Sequence, residues 1–273
     1  MAEQVHVVGA VDWGLNISWR TLTYGTGTIP ADGDTVRFTD GTDAVTGTMN
    51  QSGIDLAFMY EGPGFSGRVG TESGPLQIDV NNSSAGIWDK GGPGTWHITP
   101  GTIWTANLRA GASTYYGGTV DIVNVFGGIH RFTDGCDLNG NPVTVKGGQV
   151  TIDYKGSDTP NVTIHGGLAY IYRATGTLTV RAGRAIVMVD RAATGATTVV
   201  VEGTGMLDWR AGNIGTLTGT SGVIDFSKII QPITITNSTY SGARAIARNG
   251  ANGNQITYTN PSSITDPPDG DRS

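Results

Sequence analysis

Two stretches in the middle of the chain decide the fold: VTVKGGQVTIDY (residues 143–154) and VTIHGGLAYIY (residues 162–172). Each begins with an apolar–polar–apolar triplet, passes through one polar residue and a glycine pair, and ends in a second strand-like run. Alternation with a period of two residues is typical of strands that bury one face. Because glycine supplies the positive φ that tight corners require, each stretch predicts two short strands joined at a sharp corner.

The same phrase recurs as LTVRAGRAIVMV from residue 178, VVVEGTGMLDW from 199 and TLTGTSGVIDF from 216, with looser copies from 106, 123 and 233. Successive copies start 17, 20, 19, 16, 21, 17 and 17 residues apart. This period is too long for a hairpin arm and shorter than a propeller blade of about 40 residues. We therefore predict an all-β chain folded as a right-handed parallel β-helix (β-solenoid), with coils about 4.8 Å apart. An antiparallel β-sandwich is the main alternative, but there only the hydrophobicity should recur, not the phrase itself.

The alternation also predicts which side chains face inward. Apolar columns inside the coils should contain Val143, Val145, Val162, Ile164, Leu178, Val180, Val199 and Val201. A threonine ladder should face outward at Thr144, Thr163 and Thr179. The position before the turn varies freely in charge, which indicates solvent or a partner surface; it is occupied by Lys146, His165, Arg181, Glu202 and Gly219.

The two ends differ from this regular region, which we place at residues 101–258. Residues 1–100 are predicted to hold an irregular N-terminal cap and the first coils. Their aromatic residues either fill that cap or form a patch for sugar or protein binding; they are Trp13, Trp19, Tyr24, Phe38, Phe58, Tyr60, Phe65, Trp88 and Trp96. Residues 259–273 are predicted to be an extended C-terminal tail, either frayed or lying across a neighbouring subunit. The sequence GARAIARNG (residues 242–250) is the one candidate for a short helix.

Composition narrows the classes of function. The 273 residues carry a net charge of −6, which argues against nucleic acid as a partner. The apolar residues come in short bursts, so we expect no membrane-spanning helix and no membrane partner. The N-terminus lacks a basic leader and a long apolar core, so no secretory signal is expected. The single Cys136 cannot form an intrachain disulfide, and stability must come from packing and backbone pairing.

Few residues in the sequence suggest a catalytic or metal-binding site. Asp153, Asp208 and Asp225 each end the second strand of a repeat, so they could stack as a ladder that binds a cation or acts as acid and base. Because an aromatic residue follows each of them, a repeated structural corner is the better interpretation. The acidic run of Asp32, Asp34, Asp40 and Asp43 lacks EF-hand spacing and is interpreted as turn chemistry. No metal-ligand spacing or nucleophile–base pair is evident for His6, His97, His130, His165 and Cys136. We therefore predict no catalytic, cofactor-binding or metal-binding residues and no cofactor.

The opening of the chain carries a resemblance. Trp13 and Trp19 are followed by TIPADGDTVRF (residues 28–38) and then by a Gly/Thr-rich series of short strands. This pattern resembles the opening of large β-helical proteins, among them bacteriophage particle proteins and autotransporter passengers. Passengers of autotransporters would carry a signal peptide and a membrane barrel, whereas a phage protein made in the host cytoplasm needs neither. The resemblance therefore implies a bacteriophage virion structural protein of the head decoration, cement or tail fibre type.

Three functions follow as hypotheses. The first is a non-enzymatic capsid decoration protein, located in the virion, that stabilises the assembled head through contacts with the major capsid protein or other virion proteins. It would be a homo-oligomer, with a trimer favoured because capsid lattices offer threefold positions. The second is a tail fibre or spike component that binds host glycans. The third is a small polysaccharide-degrading enzyme, which requires two carboxylates that converge in a cleft.

Overall fold

The chain forms a β-solenoid of about 10 turns, with 58% of residues in strands and 2% in helices. The computed structural model describes residues 2–21, 27–154, 159–189, 194–246 and 256–264. The helical residues lie in two short 3-10 turns, Asn16–Ser18 and Asn82–Ser84. Among the described strands the only antiparallel pair is β1 (Glu3–His6) with β2 (Trp19–Thr21), and the coils themselves stack in parallel. The predicted solenoid is confirmed, and the sandwich alternative is wrong.

The first compact unit is built from Met1–Asn139 with Tyr154–Ser157. From β3 (Thr35–Gly41) onward, its coils contribute one strand to each of two sheets, in which these strands pair in parallel. The first sheet contains β1, β2, β3, β6 (Phe58–Phe65), β9 (Ile87–Lys90), β11 (Thr102–Leu108), β13 (Gly118–Val125) and β15 (Cys136–Asp137). The second contains β4 (Ala44–Val45), β7 (Arg68–Val69), β10 (Thr95–Ile98), β12 (Ala112–Tyr115) and β14 (Ile129–Phe132). A third, two-stranded face pairs β5 (Asn50–Asp55) with β8 (Gln77–Asp79).

The second compact unit is built from Gly140–Asp153 with Asp158–Ser273. Its first sheet contains β16 (Val143–Val145), β18 (Val162–Ile164), β20 (Thr175–Val180), β22 (Thr194–Val201), β24 (Asn213–Gly219), β26 (Ile233–Tyr240) and β28 (Ile256–Ile264). Its second sheet contains β17 (Gln149–Ile152), β19 (Leu168–Ile171), β21 (Arg184–Met188), β23 (Met206–Ala211), β25 (Val223–Asp225) and β27 (Arg244–Ile246).

The predicted inward columns of the second unit are confirmed. All eight apolar residues predicted to face inward are at most 1% exposed. Val143, Val162 and Leu178 stand in register from one strand to the next, and the predicted threonine ladder lies between the buried positions. Thr144, Thr163 and Thr179 are partly exposed, as expected for the outer face.

The predicted register fails at one copy of the repeat. Gly219 does not occupy the variable position before the turn, because it pairs with Val201 and therefore lies in a buried column. The variable position of that coil belongs to Thr220, which is exposed. On the other side Gly219 pairs with the buried Tyr240, and a Cβ at Gly219 would come within 2.6 Å of the Ala243 side chain. Glycine is needed there because the Ala243 side chain of the next coil and the Ile224 side chain, whose Cδ1 would lie 3.0 Å from the added Cβ, fill the interior.

The glycines of the repeated phrase form a column at one corner of the second unit. The N–H of Arg184 donates to the carbonyl oxygen of Gly167 in the preceding coil, at 2.9 Å. The corner residue before it, Gly183, has φ +73°, and a Cβ on this residue would lie 2.5 Å from the same oxygen. Both the left-handed backbone and the close approach of the preceding coil therefore require glycine.

The aromatic residues of the first hundred positions mostly fill the interior of the first unit. Six of the nine are buried: Trp13, Trp19, Phe38, Phe65, Trp88 and Trp96. Trp13 and Phe65 lie beside Phe38, with ring centroids 5.7 and 5.2 Å from it. The alternative of a binding patch is wrong for these six residues. Phe58 and Tyr60 are partly exposed, and Tyr24 lies outside the described residues.

The structure differs from the sequence predictions at the candidate helix (residues 242–250) and at the start of the predicted tail. Arg244–Ile246, within the candidate helix, forms strand β27, while residues 247–250 lie outside the described residues. Strand β28 pairs with β26 and continues to Ile264, past the boundary predicted at residue 258. Residues 265–273 of the predicted tail lie outside the described part of the chain.

The corner glycine gives a first prediction. Gly183→Ala should lower the free energy of unfolding by more than about 1 kcal/mol, because alanine disfavours positive φ and its methyl group meets the Gly167 carbonyl. Gly53→Ala is the matched control, since nothing lies within 4 Å of a Cβ there and φ is not positive. Urea unfolding followed by circular dichroism measures both, and equal midpoints for the two variants would contradict the role of the corner.

Candidate functional site

The three aspartates for which a stacked ladder was the less favoured alternative are not all in one column. Asp208 and Asp225 are direct partners on neighbouring strands. Their column on the outer face of the second sheet reads, in chain order, Thr151, Tyr170, Ile186, Asp208 and Asp225. Asp153 follows two residues after the position of this column in its own strand and instead forms an ion pair with Arg173, with Nε and Oδ1 3.2 Å apart. The single ladder is therefore wrong, because the spacing between strand and corner differs among the coils.

Asp208 is the centre of a cluster of cationic side chains on the second unit. The side chain of Asp208 is 2% exposed, although it lies on the outer face of the sheet. Its Oδ2 accepts from Nη2 of Arg184 at 2.8 Å and from Nη2 of Arg210 at 2.9 Å, and its Oδ1 accepts from Nε of Arg210 at 3.1 Å. Nζ of Lys228 lies 3.6 Å from the same Oδ2. We call these four residues the Asp208 cluster.

The electrostatics of this cluster keep the carboxylate ionised. Burial of Asp208 opposes ionisation and is the largest single influence. The hydrogen bonds from Arg210 and Arg184, together with the charges of Arg210 and Lys228, outweigh burial and lower the pKa of Asp208. The hydrogen bond to Asp208 in turn raises the pKa of Arg210. A general acid for glycoside hydrolysis needs a raised pKa, so Asp208 is suited to holding cations in place and not to donating a proton.

A shallow groove of about 400 Å³ lies on the same unit, and Ala211, the residue after Arg210, is part of its lining. Its lining combines apolar Met188, Ala211 and Ile230 with polar Tyr172, Arg173 and Gln231. Ile230 is 60% exposed, and its backbone N–H donates to the carbonyl of Arg210 at 2.9 Å. The groove and the Asp208 cluster therefore form a surface that offers apolar contacts and positive charge together.

The first unit presents a different surface near its N-terminus. Val8, Val11 and Leu15 are 57%, 57% and 47% exposed and line a groove of about 380 Å³. Acidic side chains flank these residues. Oδ2 of Asp43 accepts from the backbone N–H of Gly9 at 2.8 Å, and Asp12 is part of the groove lining. We call Val8, Val11 and Leu15 the N-terminal apolar patch.

A serine–histidine pair that the sequence did not reveal lies inside the first unit. Oγ of Ser113 lies 2.7 Å from Nδ1 of His130, whose Nε2 lies 2.8 Å from the carbonyl oxygen of Gly127. The network assigns the ring proton to Nε2, so Ser113 donates to Nδ1. Such contact between a hydroxyl and a base is a feature of activated nucleophiles. Here Ser113 is 1% exposed and His130 is fully buried, and burial lowers the pKa of His130 to about 4. The pair is closed to a substrate and contributes to the core.

A fully buried ion pair lies in the same interior. Nζ of Lys90 donates to Oε2 of Glu61 at 2.8 Å and to the carbonyls of Gly92 and Gly94 at 3.1 and 2.7 Å. Oε1 of Glu61 accepts from the N–H of Gly94 at 2.7 Å. Burial raises the pKa of Glu61 and lowers that of Lys90, and the charge of each partner opposes the shift of the other. Both residues lie within the first hundred positions, where the sequence predicted no inward columns, so this pair was missed.

The single cysteine and the three remaining histidines have different surroundings. Cys136 is buried, and burial raises the pKa of its thiol to about 12. His6 is buried and stacked on Phe38, and burial is the main cause that lowers its pKa. Nδ1 of His97 lies 2.8 Å from the hydroxyl of Tyr116, and His165 is exposed. These placements leave no reactive thiol at the described surface.

The acidic run at residues 32–43 contributes to loop geometry. Oδ1 of Asp34 accepts from the N–H of Ala2, and Oδ1 of Asp32 accepts from the N–H of Asp55. Within the described ranges, no three His, Cys, Asp or Glu side chains are grouped so that they could hold a metal ion. The described part of the chain also contains no helix long and apolar enough to span a membrane.

Comparison with known proteins yields no matching family model, no matching curated protein and no matching solved structure. Function is therefore inferred from two exposed surfaces, the N-terminal apolar patch and the Asp208 cluster with its groove.

The buried ion pair gives a second prediction. Lys90→Met should lower the free energy of unfolding by about 3–5 kcal/mol, because it leaves Glu61 buried without its cation. The matched control is Arg109→Met, which removes an ion pair to Asp89 whose arginine side chain is 48% exposed. That change should cost less than about 1 kcal/mol. Calorimetry and urea unfolding measure both, and a loss of less than about 1 kcal/mol for Lys90→Met would show that the interior pair is not important for stability.

The Asp208 cluster gives a third prediction, for which the pH dependence has a definite sign. Asp208→Asn should lower the free energy of unfolding by about 1.5–3 kcal/mol at neutral pH, because charged hydrogen bonds to two arginines are lost. Since the pKa of Asp208 is lowered on folding, its contribution is present above the unfolded carboxyl pKa and is lost as the pH falls through the folded value. The difference between wild type and variant should therefore shrink below about pH 4. Unfolding at a series of pH values tests this, with Asp153→Asn as the control, since the Asp153 side chain is 30% exposed and, among the described residues, pairs with one arginine only.

Proposed function

We propose that this chain is a structural component of a virus particle, a capsid decoration (cement) protein that stabilises the assembled head through protein–protein contacts. The observation that carries the proposal is the N-terminal apolar patch on the first unit. Three large aliphatic side chains exposed together are costly in water and commonly mark a protein interface. The patch lies in the loop between β1 and β2, and backbone hydrogen bonds from Thr46 to Val11 and from Trp13 to Gly47 fix the position of this loop.

The chemistry of the patch defines the partner surface. Val8, Val11 and Leu15 require an apolar counterpart, and the flanking Asp12 and Asp43 favour basic residues at its edge. In this proposal the assembled shell of capsid subunits offers an apolar site with a basic rim. If the patch binds only the assembled shell, binding lowers the free energy of that state and raises its melting temperature.

A homotrimer is the favoured assembly state. Closed symmetry is usual for such proteins, and three copies at a threefold position of the shell would engage three equivalent sites. Three linked contacts raise the overall affinity without any new contact chemistry. A modest patch on each chain is then sufficient for tight attachment.

The proposal gives a fourth prediction. Val11→Asp should weaken binding to purified empty shells by about tenfold or more, because a charge enters the centre of the apolar contact. Ile129→Asp is the matched control: Ile129 is 59% exposed on the same unit, in strand β14, outside the patch. Co-sedimentation with shells and the shift in shell melting temperature are the two measurements. The capsid contact would be rejected if Val11→Asp bound shells as well as Ile129→Asp does. It would also be rejected if the wild-type chain bound no shells.

A second candidate function is glycan binding by a tail fibre or spike. One observation favours it: the second unit places tyrosines, arginines and a shallow groove on one outer face. Tyr170 and Tyr172 are partly exposed and lie close enough to Arg210 to influence the pKa of its guanidinium. A polysaccharide-degrading activity has less support, because the carboxylate of Asp208 is engaged by cations and its pKa is lowered.

A further inference from the structure

The outer face of the second sheet of the second unit is locally positive in a chain whose net charge is −6. In the Asp208 cluster one carboxylate faces three cationic side chains. Asp225, the register partner of Asp208 on the same face, adds a second carboxylate, so the cations still outnumber the carboxylates by three to two. Arg184, Arg210 and Lys228 are 38%, 27% and 51% exposed, so their charges reach the solvent although Asp208 does not. They come from β21, β23 and the loop after β25, and therefore from three successive coils.

We propose that this face binds an anionic polysaccharide, with acidic groups on the sugar held by the Asp208 cluster and a sugar ring seated in the adjoining groove at Tyr172. The proposal deepens the second candidate function and rests on it. It is independent of the capsid contact, which uses the first unit.

The geometry of the Asp208 cluster suits the binding of an anion. Asp208 orients Arg210 through two hydrogen bonds and Arg184 through one, so the guanidinium groups are fixed before a ligand arrives. A guanidinium carries more N–H donors than Asp208 can accept, and its planar shape suits a carboxylate or sulfate. Lys228 contacts the carboxylate only at 3.6 Å and is half exposed, so its ammonium group can turn toward a ligand.

The groove explains why the ligand is a sugar chain. Packing of the C–H faces of sugar rings needs aromatic and aliphatic surface, and Tyr172, Met188 and Ile230 offer both. Polar groups at Arg173 and Gln231 are placed to bond hydroxyls. An acidic peptide would use the cations alone and would leave this surface unoccupied.

Binding is measured by isothermal titration calorimetry of the full chain at fixed ionic strength. The probes are polygalacturonate, dextran sulfate, neutral dextran and polyglutamate. Wild type should bind at least one of the two anionic polysaccharides and bind neither dextran nor polyglutamate comparably. A preference for polygalacturonate identifies the acidic group as carboxylate, and a preference for dextran sulfate identifies it as sulfate ester.

Two variants test the assigned residues. Lys228→Gln and Tyr172→Ala should each weaken polysaccharide binding by about five- to tenfold, because one removes a charge and the other a stacking surface. Arg181→Gln is the matched control: its side chain is 54% exposed and paired with Glu202 at 2.6 Å, at the corner outside this face. It should bind like wild type. Since Lys228 is exposed, its replacement should leave the unfolding midpoint unchanged, and circular dichroism checks this.

Three results would overturn the proposal: no binding of either anionic polysaccharide, equal binding of polyglutamate, or unchanged binding by both Lys228→Gln and Tyr172→Ala. The capsid proposal fails separately. Val11→Asp should keep polysaccharide binding while losing shells, and Lys228→Gln should keep shell binding while losing polysaccharide.

Discussion

The structure depends on one contact that recurs from coil to coil: a backbone N–H just past the corner donates to the carbonyl of the corner glycine in the coil before it. In the second unit Leu168 donates to Gly148 and Arg184 donates to Gly167, each at 2.9 Å. The distance leaves no space for a Cβ at the corner, and the chain can reverse there only with positive φ. Glycine at the corner therefore fixes the spacing of the coils, and this spacing aligns every column of side chains inside and outside.

This constraint explains how much of the fold was predictable from sequence. The glycine pairs and the alternating triplets are local signals, so the solenoid and its inward columns in the second unit could be read directly. Gly219 was misplaced because its role depends on how Ala243 in the next coil and Ile224 pack against it, which no local pattern reveals. Asp153 was misplaced for a related reason, since strand and corner lengths vary between coils and shift the register of outer positions.

The candidate surfaces were less predictable than the fold. The three aspartates were noticed, but the cations around Asp208 come from separate coils and are brought together only by stacking. The N-terminal apolar patch lies in a stretch with no repeat, where exposure of Val8 and Val11 does not follow from their hydrophobicity. Inside the first unit, Glu61 and Lys90 occupy inward positions that a binary pattern assigns to apolar residues. They are tolerated because every charged group has a partner there.

Because the corner glycines repeat the same backbone contact in successive coils, each coil is a structural layer that can be inserted or deleted as a unit. A solenoid in which every layer contacts its neighbours through the same backbone geometry can gain or lose a whole layer during evolution without disturbing the rest. The Asp208 cluster is the exception, because its four side chains are drawn from consecutive layers. Insertion of a layer between β21 and β23 would separate Arg184 from Asp208, whereas insertion between β16 and β18 would leave the cluster intact. The length of this protein and its surface chemistry can therefore diverge independently, one layer at a time.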